Sequence, residues 1–191
     1  MSNPRIAIVG RPNVGKSTLT NRLAGRRVSI TEPTAGVTRD RISVGTTLRG
    51  DAGERFVELV DTGGVGIVDR DDLGPHVEGQ VRAALEAADL VLFMVDARDG
   101  VTPLDQEVAR LLRGVSTPVL LLANKAESEK IAWEIDAFYK LGMERAPMAI
   151  SAQNGIGLDE LVEAMCDLLP EATEEEARVD ARRVGLKAPK A

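Results

Sequence analysis

Short runs of consecutive apolar residues alternate along the chain with longer stretches in which apolar residues recur every three or four positions. The short runs predict buried or half-buried strands, and the longer stretches predict amphipathic helices. The predicted strands are 5–9, 42–48, 55–60, 90–95, 118–123 and 147–150. The predicted helices are 16–24, 77–88, 104–112, 128–141 and 158–169.

This alternation of strands and helices is typical of βαβ units around a parallel sheet. The segment 49–53, rich in glycine, predicts a hairpin that adds one antiparallel edge strand. We therefore expect an α/β, three-layer fold over 4–169, with a six-stranded, mostly parallel sheet and about five helices. The composition changes at Pro170, and 170–191 resembles a linker or tail.

Composition excludes several classes of function. The 191 residues carry a formal net charge of −6, which argues against DNA binding and against tight nonspecific nucleic-acid binding. Aromatic residues make up 3%, too few for a base-stacking platform. The single Cys166 excludes an intrachain disulfide, and the single His76 leaves little room for zinc chemistry. No apolar run is long enough to span a membrane, so the expected compartment is the cytoplasm.

The first predicted strand and helix flank a phosphate-binding motif. Residues 10–17 read GRPNVGKS and match G-x-x-x-x-G-K-[ST] in the strand–loop–helix context that gives this motif its meaning. Its glycines let backbone N–H groups point at phosphate oxygens, Lys16 can reach the β- and γ-phosphates, and the Ser17 hydroxyl can bind Mg²⁺. The motif predicts a P-loop NTPase and leaves ATP and GTP, hydrolase and kinase, all open.

Three further motifs follow predicted strands. In DTGG, Asp61 can hold Mg²⁺ through water, and the Gly64 N–H can approach a γ-phosphate. In NKAE, a carboxylate can accept hydrogen bonds from guanine N1 and N2, a donor pair that adenine lacks. The SAQ segment, 151–153, offers backbone N–H groups to guanine O6. All of them lie at the carboxyl ends of strands, where open α/β sheets bind ligands.

The set GRPNVGKS, GVTRD, DTGG, NKAE and SAQ, in this order and spacing, resembles a translation-factor-class GTPase. It is most similar to the first GTP-binding domain of the Der (EngA) family, the tandem GTPases of bacterial ribosome assembly. The segments 91–98 and 138–142 add to the likeness, which covers roughly 4–169. The resemblance implies a GTP-binding domain over 1–169 and a linker over 170–191 leading to a second such domain. It also implies contact with the large ribosomal subunit through the full-length protein, and a monomeric state for this piece.

The resemblance also implies site roles. Thr38 would close over the γ-phosphate and join Ser17 and Asp61 in binding Mg²⁺, while Lys16 and Asn13 would act beside the phosphates. The full set expected at the nucleotide is Asn13, Val14, Gly15, Lys16, Ser17, Thr18, Asp61, Gly64, Asn124, Lys125, Glu127, Ser151, Ala152 and Gln153. GTP or GDP and Mg²⁺ are the implied ligands. Similar GTPases with Asn at the position of Asn13 use K⁺ beside the phosphates; the alternative is that Asn13 only shapes the loop.

Two positions depart from the common GTPase pattern. The base motif ends in Glu127 where Asp is usual, which moves the carboxylate by one methylene, and first domains of this family carry Glu there. Val65 stands where many GTPases place a water-orienting Gln, so slow hydrolysis is expected. Two other readings stay open: a P-loop kinase or ATPase, and a nucleotide-dependent docking module with negligible hydrolysis.

Other polar and aromatic residues receive simpler interpretations. His76 is expected at a solvated helix start, and Cys166 is expected to be packed and inert. Core or edge packing is expected of the aromatic group Trp133, Phe138 and Tyr139, and surface placement of the acidic group Asp99, Asp105 and Glu107. The basic group near 38–40, Arg26, Arg27, Arg39 and Arg41, is expected either to be solvated or to contact RNA or other domains.

Overall fold

The apolar runs of the sequence form one six-stranded sheet in a computed structural model, which describes residues 3–25, 42–51, 53–61, 73–86 and 88–169. The strands are Arg5–Val9 (β1), Ile42–Gly50 (β2), Gly53–Asp61 (β3), Leu90–Asp96 (β4), Val119–Asn124 (β5) and Met148–Ala149 (β6). The helices are Lys16–Ala24 (α1), Leu73–Leu85 (α2), Pro103–Leu112 (α3), Glu129–Glu134 (α4) and Leu158–Leu168 (α5), with a 3₁₀ helix at Ile135–Leu141.

The strand order is β2-β3-β1-β4-β5-β6. Every neighbouring pair is parallel except β2 with β3, which is antiparallel. This confirms the predicted mostly parallel sheet with one antiparallel edge strand. Strands β1, β4 and β5 are parallel neighbours in this order. Their carboxyl ends therefore lie side by side at one edge of the sheet, where open α/β sheets bind ligands.

Alternating residues of the central strands supply two cores, one on each face of the sheet. In β4, Leu92 and Met94 pack with α1 and α5, whereas Phe93 and Val95 pack with α2, α3 and the 3₁₀ helix. All seven residues of β4 are buried, as expected of a strand covered on both faces. The three-layer architecture therefore follows from strands without a polar face.

The structure corrects several predicted boundaries. The antiparallel strands extend beyond the predicted 42–48 and 55–60 and pair as far as Gly50 with Gly53, so the turn is shorter than 49–53. Residue Arg49 pairs with Glu54 at 2.6 Å across the two strands, which favours this extension. Helix α2 begins at Leu73 rather than 77, and Pro75 lies in its first turn, where a missing N–H breaks no helical bond.

The predicted helix 128–141 is two elements. Helix α4 begins after Ser128, whose hydroxyl accepts a hydrogen bond from the Ile131 N–H at 3.4 Å, and it gives way to the 3₁₀ helix at Ile135. Gly142 ends the 3₁₀ helix in a left-handed conformation, with φ of 67°. Among the described residues, no helix has the length and apolarity needed to cross a bilayer.

Candidate functional site

The phosphate loop leaves the carboxyl end of β1 and enters α1 through three residues with positive φ. These are Gly10 at 146°, Asn13 at 65° and Gly15 at 101°. A Cβ on Gly10 would lie 2.3 Å from the Met94 carbonyl oxygen, and one on Gly15 would lie 2.4 Å from Asn124 Nδ2. Both glycines are therefore required because the loop packs directly against the ends of β4 and β5.

The loop ends at a helix N-terminus suited to an anion. Gly15 provides no side-chain cap for α1, and the first turn contains no acidic residue. The first N–H groups of α1 carry the partial positive charge of the helix dipole. Because the N-cap Gly15 has no side chain, it supplies no acceptor for them. Ser17 is exposed in this first turn. Lys16 is only 7% exposed, and its Nζ donates to the Gly10 and Arg11 carbonyl oxygens, both at 2.8 Å.

Asn124 joins the phosphate loop to the segment after β6. Its side chain is 3% exposed, its Nδ2 donates to the Val14 carbonyl at 2.8 Å, and its Oδ1 accepts from the Ala152 N–H at 2.9 Å. A single amide thus satisfies groups on two different loops. The structure brings these two predicted binding segments to one place through the end of β5.

Lys125 makes a second connection of the same kind. It has a φ of 70°, and its Nζ donates to the Asn13 carbonyl at 2.9 Å and to Asp96 Oδ2 at 2.5 Å. Asp96 ends β4 and is 4% exposed, and its other oxygen accepts from the Arg98 N–H at 3.0 Å. The NKAE motif is therefore anchored to the phosphate loop and to the end of β4.

Glu127 is half-buried and forms an ion pair with Arg98. The segment after β6 folds into a tight turn in which Ser151 is fully buried and its Oγ accepts from the Asn154 N–H at 3.2 Å. Gln153 is exposed beside it. Of the remaining predicted residues, Thr18 is exposed in α1. The predicted residues Thr38 and Gly64 lie outside the described residues.

Several other predictions also fall outside the described part of the chain. The backbone of Asp61 ends β3, but its side chain is not described. The same holds for the side chains of His76 and Trp133, and for Val65, the basic group near 38–40 and the segment 170–191. Phe138 is buried, as expected, and Tyr139 is 55% exposed.

The expectation that Asp105 is a surface charge is wrong. Asp105 is fully buried in the first turn of α3. Its carboxylate accepts from the Thr102 N–H at 3.0 Å and the Thr102 hydroxyl at 2.7 Å, and it lies 3.5 Å from Arg11 Nε. Arg11 also pairs with the exposed Asp99 at 2.5 Å. An arginine of the phosphate loop is thus paired with two carboxylates, one in α3 and one in the segment that precedes this helix.

Sequence reasoning missed three residues of this site: Asp96, Arg98 and Arg22. A signal existed for Asp96, because an acidic residue at the end of a buried strand is costly unless it has a partner. Arg22 lies in α1, and its guanidinium donates to the Ala152 carbonyl at 3.0 Å and to the Gln153 carbonyl. No sequence signal marks it, since its partners are about 130 residues away along the chain.

Comparison with known proteins identifies the family. A sequence profile described as "50S ribosome-binding GTPase" matches residues 5–125, from the start of β1 to the NKAE motif. The chain belongs to the 50S ribosome-binding GTPase family. Two proteins named GTPase Der, from Rhodopirellula baltica and Caldanaerobacter subterraneus, are 45% and 48% identical to this chain. The matches cover 92% and 90% of this chain but 37% and 38% of the relatives, so the chain spans about two fifths of their length.

A solved structure supports the fold of this GTPase-family domain. The chain matches Era in complex with MgGDPNP and a segment of 16S ribosomal RNA, with a TM-score of 0.66 and 33% identity. The match covers 91% of this chain and 59% of that one. The resemblance to the Der family and the P-loop GTPase fold expected from the motifs are confirmed.

Proposed function

We propose that this chain binds GTP and hydrolyses it to GDP and phosphate, as a switch domain acting in ribosome biogenesis. The observation that carries the proposal is the pair of contacts made by Asn124, which connects the Val14 carbonyl of the phosphate loop with the Ala152 N–H of the SAQ segment. A loop suited to phosphates and a loop suited to a purine base are thereby held at one edge of the sheet, as a nucleoside triphosphate requires.

The base side of the site favours guanine over adenine. Glu127 is the last residue of the NKAE motif, whose first two residues are anchored to the phosphate loop. A carboxylate at this position would accept hydrogen bonds from guanine N1 and N2. This argues against the kinase or ATPase reading. The test is competition: ATP at a hundredfold excess should displace little bound fluorescent GDP, whereas equimolar GTP should displace about half. Equal displacement by ATP and GTP would remove the guanine assignment.

The phosphate side supports hydrolysis with Mg²⁺. The exposed Ser17 hydroxyl at the start of α1 fits the preference of Mg²⁺ for oxygen ligands, and Asp61 and Thr38 are the further ligands that we propose from the motifs. Mg²⁺ supplies charge neutralisation at the β- and γ-phosphates when it is bound. Lys16 is held at the mouth of the loop by two carbonyls, where its ammonium would stabilise the charge that develops as the γ-phosphoryl group leaves the β-phosphate oxygen.

The docking-module alternative differs from this proposal in one measurable property. Under single-turnover conditions, with the chain in excess over radiolabelled GTP, we expect slow but complete conversion to GDP and phosphate. The Lys16→Ala variant is not informative, because it removes binding in both cases. Phosphate release no faster than in buffer alone would favour the docking module.

Asn13 is proposed to place K⁺ beside the phosphates. Lys125 binds the backbone carbonyl of Asn13 and not its side chain. The side-chain amide of Asn13 is exposed and plays no part in that contact. Hydrolysis is expected to be faster in KCl than in NaCl at equal ionic strength. The matched variant is Asn13→Gly, which tolerates the φ of 65° and removes only the side chain. Retained K⁺ stimulation in that variant would leave Asn13 with a loop-shaping role alone.

The proposed partner is the large ribosomal subunit, contacted through the full-length protein. The family description names the 50S particle, and the relatives extend well beyond this chain. Co-sedimentation of the full-length protein with purified 50S and 30S subunits tests this proposal. We expect pelleting with 50S that depends on a non-hydrolysable GTP analogue, and pelleting with 30S alone would contradict it.

A further inference from the structure

Arg22 links the helix that begins at the phosphate loop to the segment expected to contact the base. It lies in the last turn of α1, six residues after Lys16, about 9 Å along the helix axis. Its Nε donates to the Ala152 carbonyl at 3.0 Å, and its Nη2 donates to the Gln153 carbonyl. We propose that Arg22 is a positioning residue for guanine recognition, an inference that rests on the proposed GTP-binding function.

The two contacts orient the peptide groups of this segment. In a trans peptide the C=O and the following N–H point in opposite directions, and no described peptide bond is cis. Holding the Ala152 carbonyl toward Arg22 therefore turns the Gln153 N–H away from α1. Holding the Gln153 carbonyl does the same for the Asn154 N–H, which donates to Ser151 Oγ at 3.2 Å.

Ala152 is consequently fixed on both sides of its backbone. Asn124 accepts from its N–H at 2.9 Å, while Arg22 donates to its carbonyl. Its side chain is fully buried in the core beneath the sheet and makes no polar contact, so the hydrogen bonds of this residue are all made by its backbone. Both residues also connect this segment to the phosphate loop. Arg22 lies in α1, which begins at that loop, and Asn124 donates to the Val14 carbonyl within it.

This orientation matters for base discrimination. Guanine presents an acceptor, O6, where adenine presents a donor amino group, so the site needs a backbone N–H group, and not a carbonyl, facing the base. The Ala152 and Asn154 N–H groups already donate within the protein, so the Gln153 N–H is the donor in question. A guanidinium hydrogen-bonded to the Ala152 carbonyl also polarises that peptide group and strengthens the Gln153 N–H as a donor. Arg22 would thus favour guanine without touching it.

The test compares two ligands on the Arg22→Ala variant: GDP and the diphosphate of 2-aminopurine riboside, which lacks O6 and the hydrogen on N1. Loss of one hydrogen bond of ordinary strength lowers affinity about fivefold to tenfold. We expect that loss for GDP, through faster dissociation, and less than a twofold change for the analogue. Because Arg22 is far from the γ-phosphate, GTP hydrolysis should show a raised KM and an unchanged kcat.

Two further variants complete the design. Arg22→Lys keeps one donor group and should restore part of the GDP affinity, and Arg110→Ala removes an exposed arginine of α3 and should change neither ligand. Equal losses for GDP and the analogue would assign Arg22 a purely structural role and overturn the proposal, as would an unchanged GDP affinity. If the unmodified chain itself binds GDP no better than the analogue, the guanine assignment fails, and this is seen before any variant is made.

Discussion

Removing the Asp105 carboxylate should destabilise the domain far more than removing its exposed neighbour Asp99. Asp105 closes a capping box with Thr102 at the start of α3 and lies 3.5 Å from Arg11 Nε. Thr102 is the N-cap and Asp105 the third helical residue of this box, and loss of such a capping interaction costs about 1 kcal/mol. Loss of one partner from a buried ion pair costs about 3–5 kcal/mol, and less here because Arg11 is 15% exposed and keeps its contact with Asp99. We expect Asp105→Ala to lower the free energy of unfolding by about 3 kcal/mol.

The assay is urea unfolding followed by circular dichroism, with thermal melting in parallel. A loss of this size lowers Tm by about 6–12 °C in a domain of this length. Asp105→Asn, which keeps an oxygen acceptor for Thr102 but removes the charge, should fall between the wild type and Asp105→Ala. Asp99→Ala should cost less than about 1 kcal/mol, as is usual for an exposed pair. The reasoning is refuted if Asp105→Ala and Asp99→Ala destabilise the domain equally.

Two further predictions concern the phosphate loop and the last helix. Gly10→Ala should abolish nucleotide binding or folding because its Cβ would lie 2.3 Å from the Met94 carbonyl oxygen. The matched control is Gly114→Ala, at a φ of 78° with no atom within 4 Å of the new Cβ. It should lower the free energy of unfolding by only about 1–2 kcal/mol in a urea titration. Burial, together with the charge of Glu163, raises the pKa of the Cys166 thiol, so its alkylation by iodoacetamide, followed by mass spectrometry, should be slower than in the urea-unfolded chain. Since the pKa is raised in the folded state, the domain should lose stability as the pH rises above the ordinary thiol range. Equal alkylation rates of the folded and unfolded chains would contradict the protection and raised pKa of the thiol.

The elements best predicted from sequence are those with the strongest burial signal. The bounds of β1 and α1 agree with the structure. The four consecutive buried apolar residues of β1 and the glycine that precedes α1 mark these elements clearly in the sequence. The sequence predicts one α-helix where the structure has a 3₁₀ helix, although Ile135, Phe138 and Leu141 recur every three residues, the period of that helix. In a short segment this spacing cannot be separated from the 3.6-residue period by inspection.

The residues that sequence reasoning missed share a different cause. The sequence does not show that Asp105 is buried, because its partner Arg11 lies 94 positions earlier in the chain and only the fold brings the two together. Arg22 and Arg98 are likewise defined by distant partners. Motifs identify groups that contact a ligand through a fixed local spacing, whereas residues that hold those groups in place have no spacing to recognise.

The links between the phosphate loop and the base motif end on carbonyl oxygens of the loop. Lys125 binds the carbonyl of Asn13, and Asn124 binds that of Val14. Every amino acid has this oxygen, so neither hydrogen bond requires a particular side chain at its acceptor residue. At residue 13, where φ is 65°, the side chain can therefore change among the residues that tolerate a left-handed backbone, such as Asn, Asp and Gly, and alter the chemistry at the phosphates while the attachment to the base motif is preserved.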